Sequence, residues 1–119
     1  METFRFLHFK VYIDAKLYFK RILVISERVK NFSFRDQIRR AALSIMLNIA
    51  EGSAKKSDNE FARFLEISIG SLKEVVACLD IMKELGKINN QEYNDLLLKS
   101  EDLAKQLGGF IKKLRMKSS

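Results

Sequence analysis

Asp58-Asn59-Glu60-Phe61-Ala62-Arg63-Phe64-Leu65-Glu66-Ile67-Ser68-Ile69-Gly70-Ser71-Leu72-Lys73-Glu74-Val75-Val76-Ala77-Cys78-Leu79-Asp80-Ile81-Met82-Lys83-Glu84-Leu85-Gly86 decides the fold class. Within it Phe61, Leu65, Ser68, Leu72, Val75, Leu79 and Met82 recur in alternating steps of four and three, the spacing that keeps one helix face toward a partner. Ser57 stands three residues before Glu60, the spacing of a capping box. Gly86 supplies the left-handed residue that stops a helix. A single long helix over 58–85 follows.

The same rhythm runs outward in both directions. Upstream, Val11, Ala15, Tyr18, Ile22, Ile25 and Val29 predict a helix over 10–31, and Ile38, Ala42, Ile45 and Ile49 predict one over 34–53, capped by Ser33 or a close neighbour. The segment Gly52-Ser53-Ala54-Lys55-Lys56 is the break before the long helix. Downstream, Asn89 stands three residues before Glu92. Tyr93, Leu96, Ser100, Leu103, Leu107, Phe110 and Leu114 then mark the buried stripe of a helix over 90–115. Four long helices with short connections make an all-α, antiparallel up-down-up-down four-helix bundle, one domain over 1–119.

Composition agrees. The chain has 119 residues, 47% hydrophobic and 31% charged, with no proline and five glycines. About six prolines would be ordinary at an average usage of roughly 5%, so their absence favours uninterrupted helices. The single cysteine, Cys78, excludes an internal disulfide framework and a multi-cysteine zinc site, and with no signal peptide or membrane span in the pattern a cytoplasmic location is expected.

The net charge of +7 is unevenly placed. Met1 to Lys56 carries +7, Ser57 to Ile111 carries −4, and the remaining tail carries +4. Three basic groups are candidates for nucleic-acid phosphates: Arg35, Arg39 and Arg40; Lys55 and Lys56; and Lys112, Lys113, Arg115 and Lys117. Asp58 and Glu60 already occupy the positive end of the third helix and disfavour a phosphate there. Alternatively these groups are solvated faces with local salt bridges, for example Arg63 with Glu66.

On a helical wheel, Ala50, Leu43 and Leu47 fall about 110–170° from the centre of the core stripe of the second helix and form a second apolar strip. Beside it the first helix carries Tyr12, Phe19 and Leu23 off its main seam. Together they predict subunit association. Gly70-Ser71, a small pair amid large side chains, predicts the close approach of another helix. Asn48 borders the buried stripe as a structural hydrogen-bonding residue, and Glu51 and Arg40 are expected to pair across a helix or subunit boundary.

Catalysis is poorly supported, and neither a cofactor nor a metal site is expected. Bundle di-metal sites need Glu-x-x-His motifs, and the only histidine, His8, has no glutamate three residues before it. Cys78 sits among Val75, Val76, Ala77 and Leu79, where a small buried hydrophobe is the better reading than a nucleophile paired with His8. Gly52 to Ser57 lacks the spacing and the βα setting of a phosphate loop.

Gln37-Ile38-Arg39-Arg40-Ala41-Ala42-Leu43-Ser44-Ile45, Asn48-Ile49-Ala50-Glu51-Gly52 and Glu60 through Glu74 together resemble the four-helix-bundle proteins encoded by intervening sequences of bacterial large-subunit (23S) ribosomal RNA genes. The likeness continues through Leu85-Gly86-Lys87-Ile88 and Glu92-Tyr93, and so spans nearly the whole chain. It departs at Met46-Leu47, where the family usually has proline and a small residue. The resemblance implies a closed homo-oligomer, typically a pentamer, and a kinship with accessory proteins of diversity-generating retroelements, which bind a reverse transcriptase and nucleic acid. The expected function is therefore a non-enzymatic oligomer contacting RNA or DNA phosphates. The alternative is a protein-interaction scaffold that docks a partner such as a reverse transcriptase without touching nucleic acid.

Overall fold

The computed structural model describes residues 3–118. A short 3-10 turn, Arg5–His8, leads into α1 (Lys10–Ser26), α2 (Phe32–Ser53), α3 (Asp58–Glu84) and α4 (Asn90–Ser118). Each helix packs on the next and α1 closes on α4, with no close backbone approach between diagonal pairs among the described residues. Short connections turn the chain back each time, giving an antiparallel four-helix bundle about 46 × 22 × 20 Å.

The boundaries have local causes. The Ser57 hydroxyl accepts from the Glu60 amide at 3.1 Å and starts α3. At the other end of α3, Gly86 adopts φ +71, and the amides of Gly86 and Lys87 donate to the carbonyls of Lys83 and Met82, a closure that requires the left-handed conformation. Asn89 and Glu92 cap α4 reciprocally: the Glu92 amide donates to Asn89 Oδ1 at 2.8 Å, and the Asn89 amide donates to Glu92 Oε1 at 3.0 Å. Arg28 of the α1–α2 connection pairs with the same carboxylate. That guanidinium and the Asn89 amide hold Glu92 below the usual carboxylate range.

Three expected boundaries differ. The first helix ends at Ser26 rather than 31, where the Ser26 hydroxyl donates to the Leu23 carbonyl and the amides of Glu27, Arg28 and Val29 bond three residues back. Val29 is nevertheless buried, so the apolar rhythm continues into a tight turn that is not α-helical. The cap of α2 is Asn31, whose Oδ1 accepts from the Phe34 amide at 2.9 Å; Ser33 already lies inside the helix. The fourth helix runs past 115 to Ser118, with Arg115 and Lys117 in its last turn complementing its negative end. At Met46-Leu47, α2 continues without interruption.

The core follows the predicted stripes. Ile22, Ile38, Ile45, Ile49, Leu65, Leu79, Met82, Leu96 and Leu107 are wholly or almost wholly buried. Small hydroxyls thread it without leaving a polar atom unmatched: Ser68 donates to the Ile45 carbonyl of α2, and Ser100 donates to the Leu96 carbonyl within α4. Because Ser100 spends its proton on that carbonyl, the Tyr18 hydroxyl is the donor in the 2.7 Å bond between the two side chains.

Burial pushes Tyr18 up to about 12 from an ordinary 10.0. The folded state then keeps the phenol protonated while the unfolded chain ionises, so this contribution is intact below pH 10 and is lost as pH rises from 10 toward 12. Urea titrations at pH 8 and pH 11 should show stability falling at about 1.4 kcal/mol per pH unit above 10 from this group, and Tyr18→Phe should flatten that slope.

Candidate nucleic-acid interface

Up-down topology decides which charges meet. The end of α2, the start of α3, the lead before α1 and the end of α4 all gather at one end of the bundle, here called the tail end. The turns α1–α2 and α3–α4 form the far end. Residues 3–14, 50–66 and 109–118 contribute nine Lys or Arg against five Asp or Glu; residues 21–40 and 74–95 contribute eight against seven. The excess positive charge therefore sits at the tail end.

The structure separates the basic groups accordingly. Lys55 and Lys56 meet Lys112, Lys113, Arg115 and Lys117 at the tail end. Arg35, Arg39 and Arg40 lie toward the far end, about 20–30 Å away along the 22-residue α2. They are also engaged there. Arg35 lies over the Phe32 ring at 5.8 Å, and Arg39 donates to Ser26 Oγ at 2.7 Å and to Glu27 at 2.8 Å. Arg40 pairs with Asp36 of its own helix at 2.7 Å and not with another helix of this chain, and Glu51 is exposed. Glu66 takes Arg115 of α4 at 2.8 Å as its partner, not Arg63. Asn59 also accepts from Arg115, so this cation is largely committed.

Lys56, Lys112, Lys113 and Lys117 are exposed, and none forms an ion pair with a described residue. Lys55 rests over the Phe64 ring at 4.9 Å and has no ion-pair partner among the described residues. Sequence reasoning missed Arg5 and Lys10. The Arg5 guanidinium donates to the Ser53 carbonyl at 3.2 Å, meeting the negative end of α2, and covers the rings of Phe9 and Phe61. Lys10 pairs with Asp14 at 2.6 Å; this bond raises the ammonium and, with Gln106, lowers the carboxyl. The signal for both is the cluster of Arg5, His8 and Lys10 in the lead, which has no apolar rhythm to place it in the fold.

Of the apolar candidates, Leu43 and Leu47 point outward, 38% and 54% exposed, while Tyr12, Phe19 and Leu23 are half-buried. Tyr12 stands edge-on to Phe6 at 5.0 Å. The two small residues of α3 part company. Ser71 is buried and bonds Ser44 of α2 at 2.8 Å, whereas Gly70 is exposed with nothing within 4 Å of a Cβ placed there, so no helix of this chain approaches it. Asn48 donates to both the carbonyl and the hydroxyl of Ser44, completing an Asn48–Ser44–Ser71 chain between α2 and α3.

Cys78 is buried, and burial pushes its thiol up, with Glu74 adding to the effect. Among the described residues no group of three His, Cys, Asp or Glu is placed to hold a metal ion. Nor is any described helix long and apolar enough to cross a membrane.

Four helices in antiparallel order, with a lysine-rich end and an outward apolar strip, place the protein among the small all-α bundles. Residues 8–109 match the 23S rRNA-intervening sequence protein family, and the chain belongs to that family. A crystal structure of a protein of unknown function from the S23 ribosomal protein family of Bacteroides thetaiotaomicron is similar in fold, with a TM-score of 0.80 at 24% identity, over 86% of this chain and 98% of that one. No curated protein matches the chain. Neither the family's description nor the neighbour's names an enzymatic activity.

Proposed function

We propose that the protein is a non-enzymatic homo-oligomer whose tail end contacts the phosphates of RNA or DNA. The observation that carries this reading is the gathering of Lys55, Lys56, Lys112, Lys113 and Lys117, distant in sequence, at one end without ion-pair partners among the described residues. Lysines left unmatched there supply a field for a polyanion, and an oligomer repeats it around its axis. Exposed Leu43 and Leu47 support self-association and also the second reading, a scaffold that docks another protein such as a reverse transcriptase.

Labelled structured RNA and duplex DNA titrated at several salt concentrations test the reading. Micromolar or tighter affinity with a steep log–log salt dependence is expected, and Lys55→Glu with Lys112→Glu should weaken binding at least tenfold. Lys30→Glu, a far-end control, should change it far less. Absence of binding at low salt leaves the scaffold. Light scattering reports the assembly, and Leu43→Glu with Leu47→Glu should dissociate it.

A further inference from the structure

We propose that the tail end takes single-stranded nucleic acid, holding an unpaired base against the ring of Phe4 while the neighbouring lysines engage the flanking phosphates. This rests on the nucleic-acid reading above and adds the class of strand. The 3-10 turn sorts the aromatic residues of the lead. Phe6 turns inward, edge-on to Tyr12 at 5.0 Å, and Phe9 joins the rings of Phe61 and Phe110. Phe4 is left 60% exposed, braced from behind by Phe6 at 6.4 Å with the rings nearly perpendicular.

An exposed phenyl ring alone means little. Its surroundings give it a use. The bond from Arg5 to the Ser53 carbonyl ties the turn to the last residue of α2, two positions before Lys55 and three before Lys56. Lys10, which begins α1, is paired with Asp14, so Lys55 and Lys56 are the lysines this tie brings toward the turn. Arg5 itself is held over Phe9 and Phe61, so it fixes the turn and leaves phosphate contact to the lysines. A flat apolar face on a turn that is tied to the lysine-bearing end of α2 is an arrangement on which bases stack. Every base has such a face, so the contact is indifferent to sequence but open only to bases that are not already stacked in a duplex.

The test is fluorescence anisotropy of the intact protein with unstructured oligouridylate and oligothymidylate of about 16 nucleotides and a duplex of equal length. Phe4→Ala should weaken both single strands by about fivefold or more and leave the duplex unchanged, while Phe4→Trp should retain or tighten single-strand binding. A difference between the two single strands would assign the site to RNA or to DNA and supports the proposal either way. If Phe4→Ala leaves single-strand affinity untouched, or weakens duplex equally, the stacking site is overturned while phosphate binding stands. If no oligonucleotide binds, both fall. Phe4-dependent binding to vesicles rich in phosphatidylserine but not to oligonucleotides overturns it in favour of a lipid surface, and a change of oligomeric state in Phe4→Ala by light scattering assigns the ring to a subunit contact instead.

Discussion

Phe61→Ala should lower the unfolding free energy by about 3–5 kcal/mol, the range for truncating a buried phenylalanine. Few positions join so many elements. The ring is 2% exposed, lies edge-on to Phe110 of α4 at 5.0 Å, stacks with Phe9 at 6.3 Å, and sits beneath the Arg5 guanidinium at 5.7 Å. Its removal opens a cavity that these large rings cannot refill by rotation, because each is held by its own helix or turn. Phe61→Leu retains most of the volume and should cost less than about 1.5 kcal/mol. Urea unfolding separates the two, and equal losses would mean that the aromatic contacts of the ring, and not the volume it fills, carry the stability. The cluster also underlies the basic end. Arg5 rests on it and Lys113 lies one turn beyond Phe110, so a partly folded Phe61→Ala should lose oligonucleotide affinity as well.

The helical faces were legible because period and burial coincide. All seven stripe residues of α3, from Phe61 to Met82, are buried, and Asn89 with Glu92 marked the start of α4 to the residue. Val29 shows where periodicity misleads. A residue can keep an apolar rhythm from inside a turn, and only the hydrogen bonds of Ser26 and Val29 reveal that the helix has ended. Charge partners were less legible still. Arg63 stands three residues from Glu66 and Arg115 forty-nine, yet Arg115 takes the carboxylate because α4 lies alongside α3 in the fold. For the same reason the three basic groups looked equivalent in sequence. Once the helices alternate in direction, the end of α2 must meet the end of α4, and the start of α2 cannot.

Gly52 and Gly70 make opposite predictions for one substitution. Both are helical, and intrinsic propensity favours alanine over glycine by about 1 kcal/mol at each. At Gly70 nothing stands within 4 Å of the added carbon, so Gly70→Ala should stabilise the isolated chain by up to that amount. At Gly52 the same carbon would lie 2.7 Å from Phe64 Cβ, 2.9 Å from Phe61 Cδ1 and 3.3 Å from the Phe61 carbonyl oxygen. A ring edge can swing aside, but a Cβ is fixed to the backbone of α3, so α2 and α3 would have to separate where the connection between them is only four residues long. Such overpacking costs about 1–3 kcal/mol and outweighs the gain in propensity. Gly52, within the helix expected over 34–53 and at the start of the expected break, lies buried in the last turn of α2 and lets the two helices cross closely before the chain turns. Thermal unfolding should therefore place Gly52→Ala below the parent and Gly70→Ala above it. The second result also bears on assembly. If Gly70→Ala raises stability in dilute protein but lowers it where light scattering shows an oligomer, a neighbouring copy packs against that glycine; if it stabilises at every concentration, the open face of α3 lies outside the subunit contact.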